Sequence, residues 1–191
     1  MKTTFRTLAI ATAATAALTV ASLNANAQAF ELTSADVSAA APIAAKHVFS
    51  GFGCTGGNQS PALSWKNAPA GTKSFAVMLH DQDAPTGGAG FWHWVVVNLP
   101  ASATSLPAGA GAADGKALPA GASQINTDFG APGYGGPCPP QGRDAHRYTF
   151  TVYALKVDKL DLPANATASL TGFMVNGNAL GKASFVARYG R

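Results

Sequence analysis

Three apolar runs, SFAVMLH from Ser74, WHWVVVNLP from Trp92 and RYTFTVYALKV from Arg147, limit what this chain can become. Each is short and rich in Val, Phe, Trp or Tyr, and that composition at that length reads as β-strand. In the third run Tyr148, Phe150 and Val152 alternate with Thr149, Thr151 and Tyr153, the two-residue period of a sheet whose faces differ. Another short strand is expected around Trp65 in SWK.

The segment from Pro100 to Pro140 holds seven of the twelve prolines and eight glycines, with no sustained apolar period, so it must be largely loop. A loop of that length inside a compact domain is usually functional or disordered. Helical spacing appears only near the C-terminus, where Leu170, Phe173, Met174 and Gly177 are followed by Leu180, Ala183 and Ser184. Asn165 or Thr167 would cap its start. Strands first and one or two peripheral helices last predict an all-β fold, a β-sandwich of mainly antiparallel strands.

Lys2 and Arg6 precede an uncharged run from Thr7 to Val20, and Ala25-Asn26-Ala27 offers small residues at a cleavage site. Residues 1–27 therefore read as a cleaved secretory signal; an uncleaved anchor is the alternative, and the run is short for a membrane span. Taking 27 of 191 residues away leaves 164, enough for one domain, 28–191, in the periplasm or secreted. No basic run follows, so nucleic acid is not an expected partner. Cys54 and Cys138 are the only cysteines, and an oxidising compartment favours a bridge between them. The rival is a reactive Cys138 beside a histidine.

The chemistry concentrates in HDQDAPTGGAGFWHWVVVN, which begins at His80 and packs two carboxylates, two histidines and two tryptophans into nineteen residues. Asp81 and Asp83 follow the strand Phe75 to Leu79, where acids often do no more than form turns. In the next strand His93 is expected to share a face with Val95 and Val97, with Trp92 and Trp94 on the other. His146 and Tyr148, two residues apart, must point to one side. Before them lies GYGGPCPPQG, in which Gly133, Gly135 and Gly136 leave backbone amides uncovered, a composition suited to anion binding.

DQDAPTGGAGFWHWVVVN and GYGGPCPPQGRDAHRYTFTVYAL resemble the two signature blocks of the phosphatidylethanolamine-binding protein family, in its bacterial Raf-kinase-inhibitor-like branch. GGNQSPALSWKNAP and the ending ALGKASFVARYGR resemble it too, from about Ser50 to Arg191. Asp-Gln-Asp stands where Asp-Pro-Asp is commoner, which alters the rigidity of the turn and keeps both carboxylates. The resemblance implies a β-sandwich with a small end pocket for phosphate-like anions, including phospholipid head groups. It places the pocket at Asp81, His93, His146 and Tyr148, with Asp83 in support and the loop through Gly135, Gly136 and Pro139 as a wall. A bare ionised Asp81 would repel phosphate, so a shared proton or an intervening imidazolium is needed.

Three functions follow from this reading: a binding protein for a phosphate-bearing small molecule or lipid head group, a modulator of a kinase or protease, and an enzyme. The first is the expectation, with no cofactor and with a homodimer as a possible assembly. An enzyme lacks an evident nucleophile, G-x-S-x-G elbow or H-E-x-x-H pair; its best foothold is a metal held by D-x-D and two histidines.

Overall fold

The computed structural model describes residues 28–191, so the expected signal segment 1–27 lies outside the described residues. The three apolar runs are the long central strands of a five-stranded antiparallel sheet: β5 (Ser74–Asp81), β6 (Phe91–Pro100) and β9 (His146–Leu155). With β8 (Ser123–Gln124) and β10 (Ala179–Tyr189) the order is β10-β9-β5-β6-β8. A second sheet, β1-β4-β7, is made by β1 (Glu31–Thr33), β4 (Leu63–Lys66) and β7 (Ser105–Leu106). A small hairpin joins β2 (Ser50–Gly51) to β3 (Cys54–Thr55).

The two sheets face each other across one core. Leu32, Leu63, Trp65 and Leu106 of the smaller sheet meet Val77, Leu79, Trp94, Val96, Phe150 and Val152 of the larger. The period of two read in β9 holds, since Tyr148, Phe150 and Val152 enter this core while Tyr153 and Leu155 enter a second one outside it. The second core is closed by α1 (Ala168–Asn178) through Ala168 and Val175. Burial on both faces explains why β5 reads as an almost unbroken apolar run.

The C-terminal reading needs two corrections. Thr167 caps α1, its hydroxyl accepting from the Leu170 amide at 3.1 Å, but the helix ends at Asn178. Leu180, Ala183 and Ser184 belong to β10, which pairs with β9 along its whole length. Sheet pairing overrides a weak helical spacing, because ALGKASFVARY can saturate its backbone on the open side of β9. Within α1 the side facing the sheet is Ala168, Thr171, Gly172 and Val175, while Phe173 is 76% exposed. Small residues face inward because the helix lies close on the sheet, with Gly172 near Met78 and Trp92.

The Pro100–Pro140 segment is a chain of tight turns with two short strands, β7 and β8. Asn58 ties its end down, donating to the Tyr134 carbonyl at 3.2 Å and accepting from the Gly136 amide at 2.8 Å. Cys54 and Cys138 form the expected disulfide. Arg191 adds a second clasp, donating to Pro139 O at 2.7 Å and to Gly53 O at 3.0 Å.

Candidate functional site

Strand β5 ends at Asp81, β6 begins at Phe91 and β9 begins at His146, so antiparallel pairing brings these termini to one end of the sheet. Asp81 lies directly opposite Tyr148 on β9. His146, two residues from Tyr148, reaches the same side. Its Nδ1 is 2.8 Å from Asp81 Oδ2.

His93 arrives by a different route from the expected one. On β6, Trp94 pairs with Leu79 and Trp92 with His80, which leaves His93 as the extra residue of a β-bulge. The bulge breaks the alternation. Trp94 packs in the inter-sheet core, Trp92 in the outer one against the His80 ring, and His93 faces the Tyr148 ring, its centroid 5.3 Å away. The two tryptophans therefore lie on opposite faces, and Val95 and Val97 lie in the outer core away from His93. Without the extra residue, strict alternation could not put both His93 and Trp94 on the Tyr148 side.

These side chains form the floor of a pocket of about 280 Å³. Asp81, His93 and His146 are almost fully buried. Asp81 divides its oxygens: Oδ1 accepts from the Asp83 amide at 2.9 Å, and Oδ2 faces His146 and, at 3.9 Å, His93 Nε2. Asp81 thus forms the turn through Oδ1 and meets the two imidazoles through Oδ2. Burial holds His93 below the ordinary imidazole value, against the opposing pull of the Gly135 carbonyl and the Asp81 carboxylate. Burial, and after it the charge of Asp81, pushes the Tyr148 phenol well above its ordinary value.

The walls are apolar. Phe52, Phe91, Phe129, Pro139 and Pro140 surround the floor, and their types and positions were not singled out by the sequence reading. Phe129 is the hub, its ring centroid 4.9 Å from that of Phe91 and 5.3 Å from that of His93. Phe52 stands at the rim, 71% exposed, at the tip of the β2–β3 hairpin. A signal for it existed: its neighbour Cys54 is bridged to Cys138, which also lines the pocket. Nothing in the sequence marked Phe129.

Of the residues expected to line the site, Asp81, His93, Pro139, His146 and Tyr148 do so. Gly135 and Gly136 stand behind the wall, and their amides are already engaged. Gly135 N–H donates to the His93 carbonyl at 2.9 Å and Gly136 N–H to Asn58 Oδ1. They serve close packing: a Cβ on Gly135 would strike the Phe129 ring, and one on Gly136 the His47 carbonyl. The Gly135 carbonyl holds His93 Nδ1 at 2.7 Å.

Asp83 belongs to an adjoining open groove of about 600 Å³, lined also by Arg143, Asp144, Arg147 and Arg188, which meets the pocket at Pro85, Pro140 and His146. Its carboxylate grips Arg147, accepting from the backbone amide at 2.8 Å and from Nη2 at 2.7 Å. Hydrogen bonds from Arg147 hold the Asp83 carboxyl down to about 2. Because Asp83 is committed there, the D-x-D pair does not turn two carboxylates toward one ion. No group of three or more metal-ligating side chains is assembled among the described residues.

An antiparallel two-sheet sandwich with an acid–histidine pocket at one end of the larger sheet defines the class of fold. The model for phosphatidylethanolamine-binding protein matches residues 33–190, and the chain belongs to that family. The chain is 49% identical over 166 residues to the protein YbcL of Escherichia coli, covering 87% of this chain and 90% of YbcL. It is 49% identical over 144 residues to YbhB of the same organism, covering 75% and 89% of the two chains. The crystal structure of E. coli YbcL, described as a member of the mammalian PEBP family, superposes with a TM-score of 0.82 over 85% of this chain and 98% of YbcL.

Proposed function

We propose that the chain is an exported binding protein whose end pocket takes the phosphate group of a phospholipid head group or a phosphorylated small molecule. The observation that carries this reading is the buried Asp81–His146 pair, with His93 beside it, at the bottom of an otherwise apolar pocket. Buried polar groups without a structural partner on their open side want a polar ligand. Aromatic walls admit the ligand's organic part, and the groove beyond Pro85 and Pro140 gives it an exit. Export is supported by the Cys54–Cys138 bridge, a bond at home in an oxidising compartment.

The site is read as binding rather than catalytic because its thiol and its threonine hydroxyl are both committed. The Cys138 sulfur is in the disulfide, and the Thr86 hydroxyl donates to the Gly90 carbonyl at 2.9 Å. Native mass spectrometry of the exported protein, followed by calorimetric titration with phenyl phosphate, tests the reading. A co-purified phosphate compound, or saturable heat that the His146→Ala variant loses, is the expected result. Absence of both would sink it.

A further inference from the structure

The tip of the β2–β3 hairpin has an unusual backbone at the mouth of the pocket. Gly51 pairs with Cys54, so Phe52 and Gly53 make a two-residue turn, and both are left-handed, with φ of 52° and 78°. A turn with positive φ at both central residues favours Asn, Asp or Gly, because a bulky side chain is strained there. The other non-glycine residues with positive φ among those described are Asn58, Asn67 and Asn98, all of the tolerant type. Phe52 alone is bulky.

Local packing does not account for a phenylalanine here. Phe52 remains 71% exposed, so its ring contacts with Phe49 and Phe129, at 5.3 and 5.9 Å between centroids, cover only a minor part of it. Its backbone, in contrast, is clamped. Arg191 Nη2 donates to the Phe52 carbonyl at 3.3 Å and Nη1 to the Gly53 carbonyl at 3.0 Å, while Cys54 is bridged to Cys138. Strained residues persist where their surroundings over-determine them, and they cluster at ligand sites. The clamp on this turn holds an apolar ring in water at the rim of the pocket.

Phe129 connects this rim to the floor. Its ring lies nearly parallel to that of Phe52, at 16°, and edge-to-face with that of His93, 5.3 Å away. A ring-sized group esterified to a phosphate at the floor would therefore run along Phe129 and meet Phe52. The other way out, past Pro85 and Pro140, is lined by Asp83, Arg143, Asp144, Arg147 and Arg188 and suits a polar extension.

We propose that Phe52 is a specificity-determining residue, whose ring packs against the apolar group next to the ligand's phosphate and so selects esters that reach the rim over inorganic phosphate and the smallest esters. This rests on the phosphate reading above and deepens it. The ligand class is a phosphate monoester or diester with an apolar group of about ring size within a few bonds of phosphorus, a chemistry that a soluble ester and the acylglycerol part of a phospholipid share. Covering the exposed ring removes apolar surface from water, and an aromatic partner adds the attraction between ring quadrupoles.

The test is titration calorimetry of the whole protein with inorganic phosphate, methyl phosphate, phenyl phosphate and a soluble short-chain lipid, dihexanoyl phosphatidylethanolamine. The parent should bind phenyl phosphate more tightly than methyl phosphate. Phe52→Ala should weaken phenyl phosphate by about threefold to tenfold and leave inorganic and methyl phosphate unchanged, with Phe52→Leu keeping part of the difference. Phe52→Asn suits the left-handed turn, so the same loss in that variant assigns the effect to the ring and not to a broken hairpin; thermal melts show that each variant is folded. Phe173→Ala, which removes the exposed phenylalanine of α1, should bind like the parent. A greater loss for the short-chain lipid points to a phospholipid ligand, and a greater loss for phenyl phosphate to a soluble ester. Parent-like affinity for both in the Phe52 variants, or an equal loss for methyl and phenyl phosphate, would overturn the inference and leave the phosphate reading standing. No binding of any of the four by the parent would remove both.

Discussion

His146 Nδ1 donates to Asp81 Oδ2 across 2.8 Å, linking the first residue of β9 to the last residue of β5. Both are buried and line the pocket, so the bond fixes the orientation of the ring there. Replacing His146 or His93 by Ala is expected to weaken phenyl phosphate binding by roughly tenfold to a hundredfold, the value of one hydrogen bond to a charged group. Lys73→Ala, just before the far end of β5 and paired with Asp158, should bind like the parent protein. Unchanged affinity in both histidine variants, measured by calorimetry, would place the ligand elsewhere. His47 lies outside the pocket but is fully buried, with Nδ1 at 2.6 Å from the Gln59 carbonyl, so its replacement would test stability rather than binding.

Gly135 and Gly136 make a paired prediction about the wall. A methyl on Gly136 meets the backbone at His47 and Phe49, which cannot swing aside, whereas one on Gly135 meets the Phe129 side chain. Gly136→Ala should destabilise the fold by about 1–3 kcal/mol, as overpacking does. Gly135→Ala should cost less stability and more ligand affinity, because Phe129 lines the pocket. Denaturant melts rank the two stabilities, and parent-like affinity in Gly135→Ala would show that Phe129 has no part in binding.

The Cys54–Cys138 bridge closes a loop with a sequence separation of 84 and carries a pocket-lining residue. Labelling of the unfolded, unreduced protein should find no free thiol. The Cys54→Ser/Cys138→Ser double variant should lose about 4 kcal/mol of stability on the chain-entropy account. Part of the binding should survive, since Arg191 still clasps Pro139 to the hairpin. Complete loss of binding in a folded double variant would mean that the bridge alone sets the wall.

Asp83 sets an acid limit. Arg147 holds its carboxyl at about 2, below an unfolded value of about 3.9, so the folded state binds fewer protons in that interval. Its contribution is whole above about pH 4 and disappears as pH falls through about 2. Melting temperatures taken across this interval should fall less steeply in Asp83→Asn than in the parent. Added salt should narrow the difference, because both side chains are partly exposed.

Much of the fold was legible in local pattern. β5, β6 and β9 announced themselves by composition, and the face assignment of Tyr148, Phe150 and Val152 followed from a period of two. The segment from Leu180 to Ser184 misled because its apolar spacing fits either period. Only the free side of β9 decides for a strand there. In α1 Leu170 and Phe173 point outward, since space under the helix suits Gly172 and Ala168 rather than Phe173, while Met174 packs at the edge of the outer core.

By itself the sequence determined which side chains would meet: strand ends at Asp81, His93 and His146 converge once the three runs pair antiparallel. With no third cysteine it limited an internal bridge to Cys54 with Cys138, and the fold decided against a reactive Cys138 by forming that bridge. What each group does was decided in three dimensions. The bulge at His93 turns that ring toward Tyr148, Asp83 leaves the pocket for Arg147, and the amides of Gly135 and Gly136 are consumed inside the wall. The physical reason is that residue type fixes donors and acceptors, whereas register, bulges and competition among buried partners fix which of them remain open to a ligand.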